Sequence, residues 1–188
     1  MEARVVSISR TLAAGGEEVG RLVADGLDFR YVDDEVIIRA AGEAGVSPAT
    51  IAQVEHSRSL SERIAEAMSS FTRVEGAPEP WSPRVDREGY QALIQWVVED
   101  TANEGQVVFV AHGTSITLAT MSGILRVLVT ASPAVRTERL MALTDVGEPQ
   151  AKKAIQDSDS ERLKFFRRFY DLRQELPTQY DLVVNTDR

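Results

Sequence analysis

The chain has 188 residues, a formal net charge of -8 and 43% hydrophobic residues. These values predict one globular domain with a sizeable core, and the negative charge disfavours nucleic acid or an anionic membrane as a partner. No cysteine is present, which excludes disulfides and cysteine nucleophiles and fits a cytoplasmic protein. No apolar run approaches the roughly 20 residues that cross a bilayer, so we expect neither a membrane span nor a signal peptide.

The first half of the chain alternates between strand and helix patterns. A β-branched run predicts a strand over residues 4–9, and helical spacing follows Gly15 and Gly16 as far as Gly26. A second short strand is predicted over residues 29–32. Helical patterns then cover residues 35–45, 49–55, 60–71 and 90–103, with a proline-rich loop at residues 75–87.

The second half has three continuous apolar runs, which are typical of strands buried on both faces. They cover residues 107–111, 124–130 and 181–185. Helices are predicted from Ser132 through Leu143, over residues 148–155 and over residues 158–172. Strands that alternate with helices predict a doubly wound α/β fold with a parallel sheet. Ligands bind at the carboxyl ends of such strands, so residues 9–18, 112–113 and 130–131 should share one rim.

The segment after the first strand is shaped like a phosphate-binding P-loop, whose motif is G-x-x-x-x-G-K-[ST]. When Gly16 is set at the second glycine, Glu17 stands in place of the lysine and Glu18 in place of the hydroxyl residue. The first 151 residues contain no lysine, so Arg10 is the nearest candidate cation. Glycines and a helix N-terminus favour an anion site. On spacing alone, an ordinary turn that binds nothing is an equally good interpretation.

Motifs along nearly the whole chain resemble the cytidylate kinase-like family of P-loop proteins. ISRTLAAGGEEVG is similar to the form ISREYGSGGREIA that is usual in the family. The other similar segments, in the family's order, are YVDDEVIIRAA, VVFVAHGTSITLA, LRVLVTASPAVRTERLM, DSDSERLKFFRRFYDL and YDLVVNT. The resemblance implies a three-layer α/β fold of the P-loop NTPase or nucleoside monophosphate (NMP) kinase type, with a five-stranded parallel sheet. It also implies one domain over residues 1–188, with a helical NMP-binding insertion at 33–104 and a helical lid at 134–172.

The resemblance further implies phosphoryl transfer from ATP to CMP or a related nucleotide or nucleoside, with Mg²⁺. Three arginines match the lid pattern and are expected to contact the transferring group, namely Arg136, Arg139 and Arg162. The expected nucleotide or phosphate contacts are Arg10, Ala13, Ala14, Gly15, Gly16, Glu17, Glu18, Asp33 and His112. For Mg²⁺ we expect Glu18 to be the contact.

Several of these residues have a second interpretation. Asp33 is expected to hold Mg²⁺ or a nucleoside hydroxyl, and the alternative is a helix cap. His112 is expected to contact a phosphate or ribose, and the alternative is a packed side chain bonded to a neighbouring loop. The basic and aromatic residues at 162–173 resemble a nucleic-acid stripe, but their helical spacing favours aromatics in the core and arginines toward solvent or the phosphate site.

The chain departs from the family pattern mainly at residues that are expected to bind the phosphates or take part in the transfer. The family's G-S-G-G-R reads Ala13 to Glu17 here, and its G-R-G reads Ala111 to Gly113. Three hypotheses follow. The first is an active nucleotide kinase. The second is a kinase fold that binds a nucleotide or another phosphate-bearing ligand without transfer, as a regulatory module. The third is an interaction protein with an empty site. The sequence is compatible with a homodimer and does not establish the oligomeric state.

Overall fold

The computed structural model of the protein describes residues 3–33, 87–111 and 113–188, with the backbone alone for residues 87–94. Five strands lie in this part of the chain: β1 (Val5–Arg10), β2 (Arg30–Asp33), β3 (Val107–Val110), β4 (Ile124–Thr130) and β5 (Leu182–Asn185). The described helices are α1 (Gly16–Leu27), α2 (Arg87–Glu104), α3 (Thr114–Thr117), α4 (Pro133–Thr144) and α5 (Glu148–Tyr170), with a 3₁₀ turn at Pro177–Gln179. The helices predicted within residues 34–86 lie outside the described residues.

The strands form one parallel sheet in the order β2-β3-β1-β4-β5. Val5 of β1 pairs with Val107 on one side and with Ile124 on the other. The connections from β1 first run to the β2 side and later cross β1 to reach β4, so the direction of winding changes at β1. Ligands of open α/β sheets bind at such a switch point, outside the carboxyl ends of the strands.

Helices cover both faces of the sheet because side chains of adjacent strand residues point to opposite faces. Phe109 of β3 packs on one face with Val98 and Ala102 of α2. Its neighbour Val108 packs on the other face with Ala24 of α1. The result is a three-layer α/β structure with β1 and β3 buried at its centre.

Two differences between the predicted and the observed helices have an identifiable cause. The first helix does not end at Gly26 but continues to Leu27, and Asp28 ends it in the left-handed conformation with φ 55°. The two helices predicted over residues 148–155 and 158–172 are one continuous helix, α5. No glycine or proline lies between Ile155 and Ser158 to interrupt the helix, and Lys153 pairs with Asp157 across that region at 2.8 Å.

The predicted fold class is confirmed, since the described residues form a five-stranded parallel sheet between helical layers. The helix α5 and all of α4 except Pro133 fall within the predicted lid, and α2 falls within the predicted insertion. The roles of these two segments stay predictions. No helix in the described ranges is long and apolar enough to span a membrane.

Candidate functional site

The site is built on the five-residue loop between β1 and α1, residues 11–15, called here the β1–α1 loop. Ala14 is fully buried, and its N–H donates to the Thr11 carbonyl at 3.1 Å, which closes a tight turn. Gly15 has φ 79°, a conformation that costs glycine nothing. Ala13 has φ 60° although it carries a Cβ, which costs about 1 kcal/mol or more. The loop therefore keeps a strained backbone at Ala13, the position that is compared with the first glycine of the pattern G-S-G-G-R in the sequence analysis.

The N-terminus of α1 follows this loop directly and has no side-chain cap. The first N–H groups of a helix have no acceptor within the helix, and here these include the amides of Gly16, Glu17 and Glu18. They carry the positive end of the helix dipole. The acidic side chains of Glu17 and Glu18 partly balance that charge, so an anion that binds here competes with them.

The side chain of Arg10 packs against Gly16, the first residue of α1. A Cβ on Gly16 would lie 2.4 Å from the Cβ of Arg10, so only glycine fits beneath the arginine side chain. The Nε of Arg10 donates to Glu17 Oε1 at 2.6 Å, and the two side chains are 14% and 46% exposed. Arg10 thus brings a guanidinium close to Glu17, the residue that is predicted to stand in place of the P-loop lysine, and Glu17 offsets its charge.

Arg136 of α4 is buried with 4% of its surface exposed. Its two terminal nitrogens donate to both carboxylate oxygens of Asp159 on α5, at 2.9 and 2.7 Å. Its Nε donates to the carbonyl of Leu12 in the loop at 2.7 Å. A single guanidinium therefore joins α4, α5 and the β1–α1 loop, and a carboxylate balances its charge.

Arg162 of α5 is held in a similar way at the end of β1. It donates twice to Glu175, at 2.8 and 2.6 Å, and also to Ser9 Oγ at 2.7 Å and the Arg10 carbonyl at 3.0 Å. The hydroxyl of Tyr180 donates to Glu175 as well. Burial, with Glu175 as a second cause, raises the pKa of Tyr180 to about 12. Tyr180 therefore stays a neutral donor in this network at physiological pH.

Arg139 of α4 lies beside the N-terminus of α1. Its Nη1 is 3.9 Å from the place where a Cβ on Gly15 would stand. The same nitrogen donates to Thr186 Oγ1 at 2.9 Å, and Nη2 donates to the Thr186 carbonyl. Unlike Arg136 and Arg162, it has no carboxylate partner within the described part of the chain. Its positive charge is therefore held by neutral groups.

The remaining predicted site residues are less closely grouped. Glu18 is exposed on the first turn of α1, and no cluster of three or more metal-binding side chains occurs among the described residues. Asp33 ends β2, which β3 separates from β1. His112 lies outside the described residues. Its neighbour Gly113 has φ 81° and lies against the ring of Tyr170 at the end of α5. The metal role of Glu18 stays a prediction.

The partners that hold these arginines were not predicted from the sequence. They are Asp159 for Arg136, Thr186 for Arg139, and Glu175 with the hydroxyl of Ser9 for Arg162, while Tyr180 in turn donates to Glu175. All but Glu175 lie in segments that resemble the family. No local spacing links any of them to an arginine that is distant in the chain, and only the fold brings them together.

The parallel sheet, its strand order and the loop that leads into α1 define an α/β protein with a P-loop kinase-like fold. The sequence model of the cytidylate kinase-like family matches residues 5–188, and the chain belongs to that family. A search of curated protein sequences gave no significant match.

Solved structures support the fold. An uncharacterized protein from Eubacterium ventriosum has a TM-score of 0.69 and 15% identity, with 99% of this chain and 90% of that chain covered. The shikimate kinase of Acinetobacter baumannii, in complex with shikimate, has a TM-score of 0.50 and 14% identity, with 99% of this chain and 85% of that chain covered. A gluconokinase from Sinorhizobium meliloti has a TM-score of 0.50 and 14% identity, with 100% and 84% covered. At these identities the likeness concerns the fold alone.

Proposed function

We propose that the protein binds the phosphate groups of a nucleotide at the β1–α1 loop and transfers phosphate slowly or not at all. One observation carries this proposal. Arg136 and Arg162, which match the family's lid arginines, are buried, and each is paired at two points with a carboxylate. Arg136 donates to the Leu12 carbonyl in the loop, Arg162 donates to the Arg10 carbonyl at the end of β1, and the charge of each is already neutralised.

Binding is supported by the groups that do face the ligand side of the loop. The uncapped N-terminus of α1 offers backbone N–H groups, and Gly15 adopts the left-handed conformation that starts the helix. The guanidinium of Arg139 lies close to Gly15 and has no acidic partner in the described ranges. Amides and an arginine together are suited to the oxygens of a phosphate group. Mg²⁺ would be held mainly by those phosphates, with the exposed Glu18 as the nearest protein contact.

Slow transfer follows from the charges at the loop. The P-loop lysine normally contacts the β- and γ-phosphates, and its place is taken here by Glu17, which pairs with Arg10 at 2.6 Å. Catalytic arginines in phosphoryl transfer supply about 10³- to 10⁵-fold in kcat when they face the transition state. Arg136 and Arg162 instead donate to carboxylates and to the backbone carbonyls of Leu12 and Arg10. The protein thus keeps a phosphate-binding shape with little cationic help for the reaction.

The second candidate is an active kinase that transfers phosphate from ATP to CMP or a related acceptor. Arg139 favours it, because this arginine lies at the loop and its charge is not offset by a carboxylate in the described part of the structure. In this case Arg139 would stabilise the transferring group, and the pairs with Asp159 and Glu175 would have to open.

Isothermal titration calorimetry separates these functions. The protein is titrated with ATP and with CMP, each with Mg²⁺, and the same samples are then followed by coupled ADP release. We expect ATP to bind without ADP release above the blank. Arg139→Gln should weaken binding by about tenfold, as the loss of a charged hydrogen bond does. Arg167→Gln changes an exposed arginine in the last turn of α5 and should leave the affinity for ATP unchanged. ADP release at the rate of about 1–100 s⁻¹ that kinases reach would select the active kinase. No binding at millimolar ATP would refute both functions.

A further inference from the structure

Thr186, the first residue after β5, connects three parts of the site. Its N–H donates to the Thr130 carbonyl at the end of β4 at 3.0 Å. Its hydroxyl donates to the Ala14 carbonyl in the β1–α1 loop at 2.7 Å. The same hydroxyl oxygen accepts from Arg139 Nη1 at 2.9 Å, and the Thr186 carbonyl accepts from Nη2. One residue thus fixes a loop carbonyl and a guanidinium to the same strand end.

The two contacts to Arg139 differ in kind from those of the other arginines. Arg10, Arg136 and Arg162 are each held by a carboxylate, which cancels their charge. Thr186 holds Arg139 by a hydroxyl and a carbonyl, which orient the guanidinium and leave its full positive charge. Two acceptors on one residue also fix the plane of the guanidinium, since its donors form a rigid fork.

We propose that Thr186 is a positioning residue for phosphate binding, which holds Arg139 at the N-terminus of α1 and ties it to the β1–α1 loop. This inference rests on the proposed function. It identifies Thr186 as the residue that holds Arg139, the main cation of the proposed phosphate site. The Thr186 hydroxyl contacts both the Ala14 carbonyl of the loop and the guanidinium of Arg139. A bound phosphate group would therefore contact the α1 amides and the guanidinium in a fixed relative geometry. A fixed geometry lowers the ordering cost of binding.

The test compares Thr186→Val, which keeps the shape and removes the hydroxyl, with Thr186→Ser, which keeps the hydroxyl. The probe is ADP, and the readout is its Kd by calorimetry, with the melting temperature of each variant as a fold control. We expect Thr186→Val to raise Kd by about tenfold and Thr186→Ser to raise it by less than about twofold. In an Arg139→Gln background, Thr186→Val should have no further effect on Kd, because Thr186 acts through Arg139.

A purely structural threonine would give a different pattern. Thr186→Val would then weaken ADP binding by the same factor in the Arg139→Gln background, or would not weaken it at all, and either result overturns the proposal. Arg139→Lys provides a test that does not depend on folding of the valine variant. A lysine lacks the rigid planar fork that contacts both oxygens of Thr186, so the Kd of this variant should rise as much as for Thr186→Val. Wild-type Kd in Arg139→Lys would overturn the proposal. Absence of ADP binding by the wild-type chain would instead refute the proposed function and this inference with it.

Discussion

The pair between Arg162 and Glu175 gives the sharpest stability prediction. Arg162 has 6% and Glu175 13% of the side chain exposed, and they share two hydrogen bonds of 2.8 and 2.6 Å. Glu175→Ala leaves the guanidinium buried with only Ser9 Oγ and the Arg10 carbonyl as acceptors. Removing one partner of a buried pair costs about 3–5 kcal/mol. We expect about 3 kcal/mol, at the lower end, because those two acceptors remain.

Urea unfolding followed by circular dichroism measures this loss. Lys152→Ala, which breaks an exposed pair with Glu148 on the same helix, is the matched control and should leave the midpoint unchanged within error. The double variant Arg162→Met with Glu175→Leu should be more stable than Glu175→Ala, because no buried charge is left unpaired. A loss below about 1 kcal/mol for Glu175→Ala would mean that the pair is solvated and does not brace the end of β1.

Three further predictions use the same unfolding assay. Ala13→Gly should raise the free energy of unfolding by about 0.5–1 kcal/mol, because glycine relieves the φ of 60°; a loss would mean that this strain is absent. Gly20→Ala should cost about 2 kcal/mol, because its methyl would lie 2.3 Å from a valine of β3. Gly26→Ala, with open space around it, should be neutral or stabilising, and equal losses in the two would count against this packing. Hydrogen bonds from Arg126 lower the pKa of Asp181 from 3.8 to about 2, so its stabilisation is present above about pH 4 and fades toward pH 2. Asp181→Asn should therefore lose about 1 kcal/mol at pH 6, after allowance for solvent screening, and the loss should shrink as the pH falls through about 2; a constant loss would contradict the pairing.

Much of the fold was predictable because the relevant signals are local. The apolar run that forms β3 and the apolar run that forms β4 were recognised at nearly their observed limits. The continuity of α5 was not predicted, because Ser158 is a weak helix former and was taken as the first residue of a new helix. Helix propensity is only a weak guide within a long packed helix.

The location of the candidate site was predictable, but the contacts between its side chains were not. The position of the β1–α1 loop follows from its glycines and the strand before it. The sequence alone did not indicate that Arg136 would be neutralised by Asp159, or that Arg139 would be held by Thr186, 47 residues away. Such pairs depend on how helices and strand ends meet in three dimensions, and residue spacing along the chain carries no information about that.

Phosphorus NMR of ATP with Mg²⁺ and CMP tests the central claim most directly, because binding and transfer are read in one sample. With the protein in slight excess, we expect the ATP phosphate resonances to shift or broaden, as binding at the β1–α1 loop requires. We expect the β- and γ-phosphate signals to persist over hours, because Glu17 replaces the P-loop lysine and Arg136 and Arg162 are neutralised. Unchanged ATP resonances at millimolar protein would contradict phosphate binding. Conversion to ADP and a phosphorylated CMP at the rate of about 1–100 s⁻¹ that kinases reach would contradict the loss of transfer.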